Sequence, residues 1–189
     1  MLLYSQQYKI LKKHFCLNYG FTMIELIVSV GIIASLIAIF LANYHGANYR
    51  AELSMEVQKA VSNLNLARSF SLSSKKYDNG IPSGGWGIHF TLTSPHSYLI
   101  FADTNNDKIY NSGEADTAKG GRIITLPNNV VVDSTSNGGD VDIVFLSPDP
   151  IVYINELASS FAWIKFKETG NNTIKTITIN SLGLSEISD

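Results

Sequence analysis

Cysteine is nearly absent from this chain. Cys16 is the only one in 189 residues, so no internal disulfide can form. Familiar catalytic signatures are missing as well: there is no Gly-x-Ser-x-Gly, no phosphate-binding Gly-x-x-x-x-Gly-Lys, no His-Glu-x-x-His and no Cys-x-x-Cys. The four histidines, His14, His45, His89 and His96, are scattered. A metal pair of His89 and His96 across a hairpin is conceivable, but strand and turn histidines are the preferred reading. Trp86 and Trp163 fall in strand-like stretches and read as core or sheet-face residues. The expectation is a protein that is not an enzyme.

Charge is the next absence. From Met23 to Ala42 the only charged residue is Glu25. The stretch Phe21 to Tyr44 spans 24 residues without proline, and Gly31 is its only glycine. At about 1.5 Å per residue a helix of that length crosses a bilayer core of roughly 30 Å. Lys9, Lys12 and Lys13 on the N-terminal side direct that end to the cytoplasm. A secretory signal would place its small-residue cleavage site after the apolar run. Here Gly20 precedes the run, so a cut after it would remove the basic leader and keep the helix. Glu25 remains to be explained, because a lone carboxylate in lipid costs a few kcal/mol.

These features, in this order, carry a resemblance. "GFTMIEL" resembles the prepilin cleavage and methylation motif of type IV pilins and type II secretion pseudopilins. The resemblance implies a membrane prepilin peptidase that cuts after Gly20 and methylates the new N-terminus, Phe21. It implies that Glu25 neutralises the N-terminal amine of a neighbouring subunit in a filament, which supplies the partner that a buried charge requires. Other pilins or pseudopilins, an inner-membrane assembly platform and, before assembly, membrane lipid are the implied partners. The implied location is the cytoplasmic membrane, crossed once, with the C-terminal domain outside, and then a cell-surface or periplasmic filament.

Beyond the apolar run, Leu53, Val57, Val61 and Leu64 recur at spacings of four and three, with Ala60 and Ala67 on the same face. Glu52, Glu56, Lys59 and Arg68 fall largely elsewhere. The pattern predicts one helix from about Thr22 to Ser74, with Gly46 as a candidate bend, whose second half packs its stripe on a sheet. After a turn-rich linker at 77–85 the period changes. Strands are expected at 86–93, 97–103, 122–126, 130–133, 141–147, 151–155, 161–168 and 173–180. Strands that follow one another without helices imply an antiparallel sheet. The expected organisation is a leader over 1–20, a transmembrane or filament-core helix over 21–44, its amphipathic continuation over 45–76, and a sheet domain over 77–189. The expected fold class is α+β, a long N-terminal helix packed on an antiparallel β-sheet. "GWGIHF … YLIFADTNNDKIYNSGE" and "TITINSLGL" are similar to the GspH/FimT-like group of minor pilins and pseudopilins, which implies a pilin-like fold.

Some minor pilins of that group bind DNA in natural transformation, an alternative that needs clustered cations. From Tyr77 onward there are six basic residues (Lys108, Lys119, Arg122, Lys165, Lys167, Lys175) against thirteen acidic ones, a net charge of −7. That field disfavours DNA outside a local patch, for which Lys165, Lys167 and Lys175 across the last hairpin are the candidates.

One further motif stands out. In "DTNNDKIYNSGE" Asp103, Asn105 and Asp107 place oxygen donors at alternate positions, Ile109 offers a carbonyl, Asn111 a direct or water-mediated contact, and Glu114 the twelfth-position carboxylate. That spacing matches a calcium loop at every ligand position. It departs at position six, where Lys108 stands in place of glycine. Calcium is therefore the one cofactor the sequence suggests. The competing reading is a polar surface turn.

Overall fold

A computed structural model describes residues 20–148, 151–158 and 161–189. The chain divides into two compact units, Met1–Ala42 and Asn43–Asp189. The helix α1, Met23–Leu72, contributes residues 23–42 to one unit and 43–72 to the other. In the first unit Met23–Leu41 is long and apolar enough to cross a membrane, with a mean hydropathy of 2.7. Its large side chains are exposed, from Met23 at 84% to Val28 at 52%.

Among the described residues, the second unit combines the rest of α1 with ten strands. They are β1 (Gly85–Phe90), β2 (Ser97–Asp103), β3 (Arg122–Thr125), β4 (Val130–Thr135), β5 (Val141–Leu146), β6 (Ile151–Ile154), β7 (Leu157–Ala158), β8 (Ala162–Glu168), β9 (Ile174–Ile179) and β10 (Ser185–Ser188). Every pairing is antiparallel. The protein is thus α+β, but the strands form two sheets where the sequence suggested one. A six-stranded sheet has the order β3-β2-β1-β5-β6-β7, and a four-stranded sheet the order β10-β9-β8-β4.

The division arises at Pro127-Asn128-Asn129. Strands on either side of such a turn could form a hairpin, yet β3 pairs with β2 and β4 pairs with β8. The turn therefore carries the chain from one sheet to the other. Bonds from Leu126 N–H to the His96 carbonyl (2.7 Å) and from Val132 N–H to the Pro95 carbonyl (2.8 Å) hold this corner against the β1–β2 turn.

The helical stripe lies where its period places it. Leu53, Val57, Ala60, Leu64 and Ala67 are buried in one cluster with Ile88 and Phe90 of β1, Ile100 of β2, Ile143 of β5, Ile164 and Phe166 of β8, and Ile177 and Ile179 of β9. Val61 packs at the margin of this cluster. Both sheets and the helix therefore share one core, and fully burying each large aliphatic side chain contributes about 1.5–3 kcal/mol. Glu56 departs from the expected solvent face: it is buried and is neutralised by Lys59 Nζ at 2.5 Å.

A second, smaller cluster forms on the opposite face of the six-stranded sheet. There Phe101, Val144 and Ala115 are buried, with Leu99, Tyr110 and Tyr153 packed against them. The connection from β2 to β3, residues 104–121, supplies Tyr110 and Ala115 and so covers that face. This accounts for the burial of β1 on both sides.

Candidate functional site

The start of α1 holds the first group of residues. Gly20 and Phe21 precede the helix, Phe21 is 78% exposed, and no atom lies within 4 Å of where a Cβ on Gly20 would sit. Thr22 is the residue just before the helix. Its Oγ1 accepts the Glu25 N–H at 3.3 Å, and Glu25 Oε2 accepts the Thr22 N–H at 3.5 Å. This reciprocal pair is a capping box, which satisfies two donors at a helix N-terminus. The signal is the Thr-x-x-Glu spacing itself, overlooked when Glu25 is read only as an assembly group. The leader residues 1–19 lie outside the described residues.

The second group is the loop after β2. Asp103 is fully buried. Its Oδ1 accepts the Asn106 N–H at 2.6 Å and its Oδ2 accepts the Lys108 N–H at 3.0 Å. Asn106 and Lys108 adopt left-handed backbone angles, with φ of 65° and 69°. The Lys108 side chain turns back into the loop and is buried. Its ammonium lies 3.3 Å from Asp103 Oδ2 and 3.2 Å from the Gly84 carbonyl, and it donates to Asn106 Oδ1 at 2.5 Å.

The other two carboxylates of the loop, Asp107 and Glu114, are also engaged. Glu114 Oε1 accepts from the Thr104 N–H and hydroxyl, both at 2.8 Å, and its Oε2 accepts the Asn111 N–H at 2.9 Å. Asp107 Oδ2 accepts from the amides of Asn105 (2.7 Å) and Asn111 (2.6 Å), and Oδ1 from the Ile109 N–H at 3.1 Å. Burial pushes the Asp107 carboxyl up, but these hydrogen bonds to its charged form outweigh it and hold the group below its ordinary value. As arranged, the loop's carboxylates accept from backbone and amide donors, and the Lys108 ammonium stands on Asp103. Among the described residues no group of three or more His, Cys, Asp or Glu side chains is placed to hold a metal ion.

The three lysines of the suggested nucleic-acid patch do not share a face. In β8 Lys165 and Lys167 alternate with the buried Ile164 and Phe166, so they point away from the core. Lys175 of β9 is opposite Phe166 in the register and lies on the other side of the sheet. Its ammonium is paired with the Asp189 carboxylate, Lys167 lies 3.8 Å from Asp133, and Lys165 sits 4.9 Å above the Trp163 ring. The histidines are likewise apart. His89 is buried, with Nδ1 2.8 Å from Asp142 Oδ1 and its ring against Tyr110, whereas His96 is exposed in the β1–β2 turn. Trp86 is a core residue whose indole N–H donates to the Lys75 carbonyl at 3.0 Å.

No family model, no curated protein and no solved structure matches the chain.

Proposed function

We propose that this chain is a structural subunit, a minor pilin or pseudopilin, of a type IV pilus or type II secretion pseudopilus. The observation that carries the reading is the order of features on one segment: a glycine outside the helix, an exposed aromatic, and then the exposed, largely apolar stretch Met23–Leu41, whose capped first turn holds its single charge, Glu25. An exposed surface of that hydrophobicity requires a lipid or protein environment. In this reading prepilin peptidase cuts between Gly20 and Phe21, and the helix passes from lipid into a filament core made with other subunits. Glu25 then meets the new amine of a neighbour, and the two-sheet domain faces outward with a pilin-like role. The protein acts by assembly and not by catalysis. DNA capture is disfavoured, since the three candidate lysines are divided between two faces and two of them lie beside carboxylates.

Mass spectrometry of the protein isolated from its membrane tests the reading. The expected product begins at N-methylated Phe21. An intact leader in cells with a working peptidase, or a cut beyond residue 42, would overturn it.

A further inference from the structure

The loop 103–114 has the ligand spacing of a calcium loop and a lysine at the position that spacing reserves for glycine. We propose that the Lys108 ammonium takes the place of a divalent cation in this loop, so that the fold of the β domain is independent of calcium.

Three observations carry this. Position six of a calcium loop demands a sharp turn, and Lys108 makes it with φ of 69°, a conformation that non-glycine residues rarely adopt. The side chain is buried, although an exposed loop lysine would ordinarily extend into water. Its ammonium meets three oxygens, those of Asp103, Asn106 and Gly84, and so supplies the positive charge that the fully buried Asp103 carboxylate needs. The backbone at Gly84 is shaped to receive this pair: a Cβ there would lie 1.9 Å from Asp103 Oδ2. A divalent ion and a lysine are alternative answers to the same electrostatic problem, and here the chain carries the cation covalently.

The test is thermal melting of the full chain in detergent micelles, followed by the fluorescence of Trp86 and Trp163, in millimolar calcium and in chelator. The wild type should melt at the same temperature in both. Lys108→Met keeps the apolar stem and removes the charge; its midpoint should fall by about 6 °C or more and should not recover with calcium. Lys108→Gly restores the small turn residue and vacates the cation position. Its midpoint in chelator should fall, and calcium at a hundredfold excess over its dissociation constant should raise it by about 5–10 °C. Lys108→Asn, which tolerates the same turn, should behave as the glycine variant does. A calcium-dependent wild type, an undisturbed Lys108→Met, or indifference to calcium in both the glycine and asparagine variants, folded or not, would each reject the proposal.

Discussion

His89 Nδ1 lies 2.8 Å from Asp142 Oδ1, and the two residues are direct partners in the register of β1 and β5. Both are buried on the face covered by residues 104–121, where Tyr110 packs on the imidazole at 4.8 Å. A polar pair closed off in this way is costly to break from one side, because the remaining partner keeps its desolvation penalty. His89→Ala and Asp142→Ala should therefore each destabilise, while the double variant should lose less than their sum. A double-mutant cycle by denaturant unfolding should return a coupling of about 1–3 kcal/mol. Additive effects would show that the two side chains do not act as a pair.

Tyr98 gives the β domain a response to alkali. Burial, opposed by the Asn63 amide at 2.9 Å and aided by the carboxylate of Glu56, pushes its phenol up to about 12 from 10.0. The folded state therefore holds this proton where the unfolded chain has released it. The associated stability is complete below about pH 10 and is lost as pH rises from there toward about 12. In Tyr98→Phe that part of the slope should vanish, at a cost near 1 kcal/mol for the partner lost by Asn63. Unfolding curves between pH 9 and 12 read both effects, and an unchanged slope in the variant would assign the loss to another group.

Gly84 and Gly85 join the linker to the first strand at close quarters. Gly85 has φ of 96°, and a Cβ on it would stand 2.1 Å from the Phe145 carbonyl oxygen. That obstacle is backbone in the neighbouring strand and cannot step aside. Gly85→Ala should cost about 1–3 kcal/mol or more through strain and displacement of β5. Gly138→Ala, also at positive φ but in open space, should cost less. Equal losses at the two sites would remove the steric argument.

The core and the exposed helix should respond differently to truncation. Leu64→Ala opens a cavity between helix and sheets and should cost about 2–5 kcal/mol in the unfolding of the β domain. Leu36→Ala, on the exposed part of α1, should leave that transition where it is. The comparison is made by thermal melting in micelles. A shift from Leu36→Ala as large as that from Leu64→Ala would mean that the two units do not melt as the structure divides them.

Glu25 caps the start of α1, and the proposed function gives it a second role, charge neutralisation, to be told apart from the first. Glutamine can occupy the same capping position as glutamate but carries no charge. Under the proposed function, both Glu25→Ala and Glu25→Gln should insert in the membrane and both should fail to enter filaments, since the neighbouring amine loses its counter-charge in each. If glutamine supports normal filament yield and alanine does not, capping accounts for the residue and the charge pairing is refuted.

The one-dimensional signals were strong wherever the determining contacts are local. The apolar run, the stripe through Leu53, Val57 and Leu64, the Thr22–Glu25 cap and the turn that closes the β8–β9 hairpin all depend on residues within a few positions of one another. Helical and strand periods express such neighbours directly. β10, by contrast, is four residues long and mostly polar, so no period marks it, and only its pairing with β9 makes it a strand.

What the tertiary structure alone decided are the meetings of residues far apart in the chain. Val130 pairs with Glu168 and not across the nearby turn, and this divides the strands into two sheets. The β8–β9 register sends Lys175 to the face opposite Lys165 and Lys167, because side chains alternate along a strand and a shift of one residue reverses them. Lys108 illustrates both levels. Its place in the loop was legible as a departure from the calcium spacing. That its ammonium folds inward depends on the buried Asp103 carboxylate and on the Gly84 carbonyl, 24 residues earlier, which only the folded chain brings to it.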